Sequence, residues 1–323
     1  MRDIISSMPE QMLAAIQLLP KKKTVKKKYN KVMVCGMGGS GISGEILKAL
    51  YPGVEIISNK DYAIPQYIDH HTLAIIISYS GNTEETLTNY AILRKRKTGI
   101  VIISSGGRLL KKKADLKVKI PAGLPPRGAL GYLFTPLPFI LYKYHFITKD
   151  PRNNIIELAG YLKKTRKKIE SKAKILARKL VKKMPIIYAN SSTYLPVAKR
   201  WQSQLNENAK IIAHINIIPE MNHNEIVGLG RPRALNKSIV PILLNDPKAH
   251  ARNRARLLII NRLIKGLFHG IIEIRSNGKS DLKRMFSTIM TGDYISYYLA
   301  ILTGIDPMPV KRIEDLKREL SKI

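Results

Sequence analysis

The chain has 323 residues, 45% of them apolar, which is length enough for two hydrophobic cores and too apolar for intrinsic disorder. Lys and Arg number 56 against 23 Asp and Glu, a formal net charge of +33 that attracts anions from a distance without naming one. A single cysteine, Cys35, excludes an internal disulfide or a multi-cysteine zinc centre and points to a reducing compartment.

The first twenty residues include Asp3 and Glu10 and hold no apolar run near the ~20 residues of a membrane span, so a cytoplasmic protein without a signal segment is expected. Six lysines crowd into residues 21–28 and read as a solvated face. From residue 31 onward, short β-rich apolar runs alternate with amphipathic segments, the pattern of an α/β chain with helices packed on parallel sheets. Strands are predicted at 31–36, 54–58, 73–78, 99–104 and 116–120, with helices near 42–50 and 83–97. A long basic helical region, 152–183, follows, with Leu158, Leu162, Ile169, Ile175, Leu176 and Leu180 on its apolar face. A second series repeats the architecture: strands at 185–190, 210–215, 238–244 and 270–275, helices near 194–208, 249–265 and 281–302. The domain boundary is placed at Asp150-Pro151, giving domains 1–150 and 151–323.

Residues 161–183 carry eleven Lys or Arg and one acid, Glu170. No interleaved aromatics or nucleic-acid motif accompany them, so they read as a solvated face and no specific nucleic-acid partner is expected.

The strongest local signal follows the first strand: Gly36-Met37-Gly38-Gly39-Ser40-Gly41-Ile42-Ser43-Gly44-Glu45. Glycines let the backbone turn and approach a ligand, while free amides and the positive end of a helix dipole favour a phosphate. Gly36, Gly38 and Gly41 also fit G-x-G-x-x-G, with Asp61 near the distance of a ribose-binding acid, so a dinucleotide fold competes. A second loop after the third strand, Ser78-Tyr79-Ser80-Gly81-Asn82-Thr83-Glu84-Glu85, places three hydroxyls around another helix start. Two adjacent hydroxyl-lined turns at the carboxyl ends of parallel strands enclose a compact phosphomonoester rather than a dinucleotide. Taken singly, Ser80 or Thr83 would pass for an ordinary helix cap.

These two loops resemble the phosphate loops of sugar isomerase (SIS) domains. Pro126-Arg127-Gly128-Ala129-Leu130, Asn206-Glu207-Asn208-Ala209-Lys210, Pro219-Glu220-Met221-Asn222-His223-Asn224-Glu225 and the ending Asp306-Pro307…Ile313-Glu314-Asp315-Leu316-Lys317 are similar, in the same order, to the archaeal bifunctional phosphoglucose/phosphomannose isomerases. The resemblance implies two doubly wound parallel-sheet SIS domains with N-terminal and C-terminal helices. It further implies a cofactor-free homodimer that interconverts glucose 6-phosphate or mannose 6-phosphate with fructose 6-phosphate. Gly39, Ser40, Ser78, Ser80 and Thr83 would then bind the substrate phosphate. By the same resemblance, Glu207 moves the proton between C1 and C2, and Arg127 steadies the enediolate. His223, donated across the interface, opens the ring, and Lys317 assists.

Elementary chemistry supports those residue types. A carboxylate can take a proton from carbon and return it to the next one, a guanidinium stabilises an oxyanion that exists only on the way, and imidazole transfers protons near neutral pH. Ordinary alternatives stand beside each. Glu207 lies opposite the apolar stripe Val197, Trp201 and Leu205, which reads as a solvent-facing position. Arg127 is one arginine in a very basic chain, His223 sits in a polar loop, and Lys311 competes with Lys317. Adjacent His70 and His71 are expected to diverge and to lack partner ligands, so no metal site is expected. Tyr132, Phe134, Phe139 and Tyr142 read as core. Met308 stands where the resembled family commonly has threonine in an Asp-Pro-Thr-Pro turn; the family's use of mannose depends on small polar groups there, so glucose is the expected preference. The competing function is a non-catalytic phosphosugar-binding SIS regulator, which has no need of Glu207, Arg127 and His223 together.

Overall fold

Short runs of Val, Ile and Leu build two sheets, and in both every strand pairing is parallel. The computed structural model describes residues 1–20 and 28–322, so the lysine-rich stretch, Lys28 apart, lies outside the described residues. Clustering of contacts divides the chain into two units, one comprising Asp3–Arg166 and Asn277–Ser287, the other Met1–Arg2, Lys167–Ser276 and Thr288–Ile323. The long helix Arg152–Arg178 starts directly after Asp150-Pro151, and the division falls within it.

In the first unit β1 (Lys31–Cys35), β2 (Ile56–Asn59), β3 (Thr72–Ile77), β4 (Gly99–Ser104) and β5 (Leu116–Lys119) are ordered β2-β1-β3-β4-β5. The central strands β3 and β4 are buried along their whole length, which is why they read as unbroken apolar runs. The edge strand β5 alternates instead, with Leu116 and Val118 inward and Lys117 and Lys119 outward. One face of the sheet packs Met33, Cys35, Ile76, Leu93 and Ile102 into a single cluster. Burial pushes the Cys35 thiol up to about 12, so it behaves as a small apolar side chain. Phe134 and Phe139 are buried as expected, whereas Tyr142 is exposed.

In the second unit β6 (Met184–Ala189), β7 (His214–Ile217), β8 (Ile239–Asn245) and β9 (Ile272–Arg275) are ordered β7-β6-β8-β9. The strand predicted at 210–215 begins only at His214. Lys210 has a φ of +56°, and the Asn206 side chain accepts from the Ala213 amide at 3.2 Å, so these residues form the return loop from a helix rather than extended backbone.

That helix, Leu195–Asn208, begins with proline in its first turn and buries Val197, Trp201 and Leu205. Three polar links join it to the helix Asp281–Leu302. Arg200 makes a two-pronged, fully buried pair with Asp293 at 3.0 and 2.7 Å, Trp201 Nε1 donates to the Thr288 carbonyl at 2.9 Å, and Asn208 Nδ2 donates to Ser296 Oγ at 2.9 Å. The indole has room because residue 292 is glycine: a β-carbon there would stand 2.3 Å from Trp201 Nε1. Among the described residues, no helix is long and apolar enough to cross a membrane.

This contact sets two effects against each other in Gly292→Ala. Alanine gains roughly 1 kcal/mol of helix propensity, but overpacking a filled core costs about 1–3 kcal/mol. The expected net result is a lower denaturation midpoint by urea titration; a raised midpoint would show that the helix can move away from Trp201.

Candidate functional site

The strand order reverses direction between β1 and β3, so the loops that follow these strands leave the carboxyl edge on opposite sides and open a crevice. Glycines keep both loops tight, the first folding closely on itself and the second packing against the loop that follows β4. A β-carbon on Gly41 would lie 2.3 Å from the Gly36 carbonyl oxygen, and one on Gly81, whose φ is +70°, would lie 1.8 Å from that of Gly106. The first loop runs into the helix Gly38–Leu50, the second into the helix Glu84–Lys95.

Hydroxyls line these two turns. Ser40 is buried and its Oγ accepts from the Tyr79 amide at 3.3 Å, which ties the loops together. Ser78 Oγ accepts from the Gly81 amide at 3.0 Å and shares a hydrogen bond with Thr83 Oγ1 at 2.8 Å. Ser80 is exposed at the top, where its Oγ accepts from the Asn82 amide at 3.2 Å. Thr83 occupies the cap position of its helix, yet its side chain makes no capping bond and turns to Ser78 instead.

Gly39 does a further job. A β-carbon there would stand 2.7 Å from the Pro126 carbonyl oxygen and 3.2 Å from the Cα of Arg127, so the short helical turn Pro126–Gly128 lies directly on the glycine loop. Arg127 is 4% exposed. The turn thus brings the buried Arg127 next to the start of the helix Gly38–Leu50, an end that favours an anion.

The remaining candidates belong to the other unit. Glu207 is half-buried near the end of the helix Leu195–Asn208, off the Val197, Trp201 and Leu205 stripe, and lines a cavity of about 600 Å³ with Lys210, Ile211, Pro309, Lys311 and Arg312. Of the two competing lysines, Lys311 belongs to that lining. Lys317 is exposed in the last turn of the helix Lys311–Leu320, outside the cavity wall.

His223 ends the short helical turn Glu220–His223 and is exposed. Two residues on, Glu225 anchors that loop. It accepts from Tyr188 Oη at 2.5 Å and Asn216 Nδ2 at 2.6 Å, with His214 Nε2 at 3.3 Å. Burial would raise the Glu225 carboxyl, but the hydrogen bonds from Tyr188, Asn216 and His214 outweigh it and hold it below the usual carboxylate range. Burial and then Glu225 itself raise the Tyr188 hydroxyl correspondingly.

The second sheet also reverses direction, between β6 and β8, but there the crevice is stitched. Asn190 Nδ2 donates to the Asp246 carbonyl at 3.0 Å and Asp246 N donates to Asn190 Oδ1 at 2.9 Å, both residues being buried. A reciprocal side-chain bond occupies the place that glycine turns hold in the first sheet.

Residues 169–320 match the family described as "Bacterial phospho-glucose isomerase C-terminal SIS domain". Over its full length the chain is 39% identical to a protein of Caldicellulosiruptor bescii named bifunctional phosphoglucose/phosphomannose isomerase, covering 99% of it. A protein of the same name from Thermoplasma acidophilum is 35% identical over 91% of this chain and 90% of its own. The chain belongs to the bifunctional phosphoglucose/phosphomannose isomerase family. It is an isomerase built on the SIS fold. The same fold is found in a putative phosphosugar isomerase from Clostridium difficile 630, which superposes with a TM-score of 0.77 at 14% identity and covers 98% of this chain and 97% of that one.

Within this isomerase the geometry adds two residues that sequence reasoning left unassigned, Glu225 and Lys210, although both lie inside motifs already noted. It also corrects one expectation. His70 and His71 do not diverge; their ring centroids lie 3.9 Å apart at a tilt of 42°, and with Asp69 they offer ligand atoms all within 4.8 Å of one another. The turn that bends the chain there, with His71 N donating to Asp69 Oδ1 at 3.0 Å, overrides the divergence of neighbouring side chains in regular structure.

The Glu225 anchor sets a pH dependence. A carboxyl held below its unfolded value, about 4.3 for glutamate, contributes stability that is complete above that value and lost as pH falls through the folded one. Glu225→Gln is therefore expected to melt lower than the wild type at pH 7 and to converge with it in acid below about pH 4. Parallel melting curves at every pH would deny the anchor its charge.

Proposed function

We propose that the enzyme interconverts fructose 6-phosphate with glucose 6-phosphate and, less readily, mannose 6-phosphate, through a cis-enediolate. The observation that carries this reading is the seating of the Arg127 turn on Gly39, which sets a buried arginine beside the first of the hydroxyl-lined loops. In this reading Ser40, Ser78, Ser80 and Thr83, with the Gly39 backbone, hold the phosphate. The Glu207 carboxylate removes a proton from C1 of the open-chain ketose, the C1–C2 double bond forms, and the electron pair of the C2 carbonyl moves onto oxygen. Arg127 stabilises that oxygen's charge, which is larger in the transition state than in the ketose. The proton of the C1 hydroxyl then passes to the C2 oxygen, the electron pair it leaves on O1 forms the C1 carbonyl, and the C1–C2 double-bond pair takes the proton back from Glu207 at C2, which completes the aldose. His223, acting within a homodimer on the site of the neighbouring subunit, opens and closes the ring, and Lys317 assists. Met308, 41% exposed in the turn before the last helix, brings an apolar side chain where a small hydroxyl favours mannose.

The test is an assay on fructose 6-phosphate in chelator-treated buffer with both aldose products resolved. Turnover with glucose 6-phosphate as the main product is expected, because carboxylate and imidazole proton transfer needs no Lewis acid. Glu207→Gln is expected to lower kcat on the order of 10²-fold or more with phosphosugar binding retained. Binding without turnover in the wild type would instead identify a sensor.

Assembly gives a second measurement. Glu207→Gln and His223→Ala proteins, each inactive, are mixed, dissociated and reassembled; half of the dimers are then hybrids with one intact site of two. Recovery of about a quarter of the wild-type rate is expected from this random pairing. Silence from hybrids verified by mass spectrometry would place both residues in one subunit's site.

A further inference from the structure

Lys210 stands where a lysine is disfavoured. It follows the helix Leu195–Asn208 by two residues with a φ of +56°, in the left-handed region that glycine or asparagine usually fills at a helix end. Its side chain supplies the reason for the substitution. The ammonium donates to the main-chain carbonyl of Glu207 and, at 2.6 Å, to that of Pro309. The Glu207 carbonyl lies in the last turn of its helix, where no amide further along the helix can bond it, and a cation there also meets the negative end of the helix dipole.

Pro309 belongs to the turn at 306–309, which is itself closed by the Met308 amide donating to Asp306 at 2.8 Å. One ammonium thus joins the helix end that bears Glu207 to the turn that leads into Lys311. Glu207, Lys210, Pro309 and Lys311 all line the same cavity of about 600 Å³. On the other side, the Asn206–Ala213 bond at 3.2 Å and the Gln202 Nε2 bond to the Ala213 carbonyl at 2.8 Å hold the loop carrying Lys210 back against its helix.

We propose that Lys210 is a positioning residue that fixes the direction of the Glu207 carboxylate by clamping the last turn of its helix to the turn at 306–309. The proposal rests on Glu207 being the base in the reading above. A base that takes a proton from one carbon and returns it to the next serves two positions, and displacement by an ångström can cost about 10²-fold in rate. An unclamped last turn frays, and the carboxylate then loses its proton to water before delivering it.

Three variants separate this role from plain structural support. Lys210→Gly removes the clamp and suits the backbone, Lys210→Met keeps the apolar stem without the charge, and Lys210→Arg keeps a cation. Each is assayed for kcat and KM with fructose 6-phosphate, for its melting midpoint, and for the fraction of deuterium carried from C1 of stereospecifically labelled substrate to C2 of the product. Lys210→Gly is expected to melt at or above the wild-type midpoint while kcat falls about tenfold or more, KM stays within about twofold and label retention drops. Lys210→Met should show the same kinetic loss, and Lys210→Arg should restore most of kcat and retention. Wild-type kcat and retention in Lys210→Gly would overturn the proposal, and so would a loss of kcat that only tracks a lower midpoint in the Gly and Arg variants alike. Glu207→Gln run alongside distinguishes the two levels. If it is inactive while Lys210→Gly is normal, the base assignment stands and the clamp falls; if it is fully active, both fall.

Discussion

Two loops leave adjacent parallel strands in opposite directions and are joined by one short side chain, Ser40, and much of the first unit follows from that close packing. The close approach of Gly41 to the Gly36 carbonyl and of Gly81 to Gly106 leaves backbone and short hydroxyl side chains as the material of the carboxyl edge. An edge made this way presents donors, and donors at helix starts favour an anion. The same economy of side chains lets Pro126 and Arg127 rest on Gly39, so the position of Arg127 is set by backbone packing. Placement by backbone costs little mobility on binding, which is what a short-lived charge in a reaction requires.

The net charge of +33 works on a different length scale. Solvent and salt screen it beyond about 10 Å at 0.1 M ionic strength, so it brings phosphosugars toward the protein without selecting among them. The groups of the two loops are neutral: Ser40, Ser78 and Thr83 are bound to one another or to amides, and their positions are already set. Lys60, close to Gly41, is occupied by Glu45. A chain so rich in cations nevertheless lines these two loops with hydroxyls and amides.

The central strands of the first sheet were legible because they are buried apolar runs, and the two hydroxyl-lined loops because glycine spacing and hydroxyls occur within ten residues. The second sheet was less so. Its strand at His214 begins late because a left-handed lysine and a side-chain bond from Asn206 extend the preceding loop, and neither leaves a trace in hydropathy. The role of Gly39 was visible only as one glycine among several, since its partner lies 87 positions away. Glu225 looked like another polar residue of a polar loop until Tyr188 and Asn216, from two different strands, converged on it. Long-range packing assigns such residues their work, and local pattern cannot record it.

The bond between Asn190 and Asp246 bears on how a duplicated architecture divides labour. Both halves inherit a crevice at the point where strand order reverses, and a chain with two open crevices would present two competing docks for the same kind of ligand. With one crevice sewn shut by its own side chains, the second sheet offers a rigid edge instead of an opening, a frame from which helix ends and loops project.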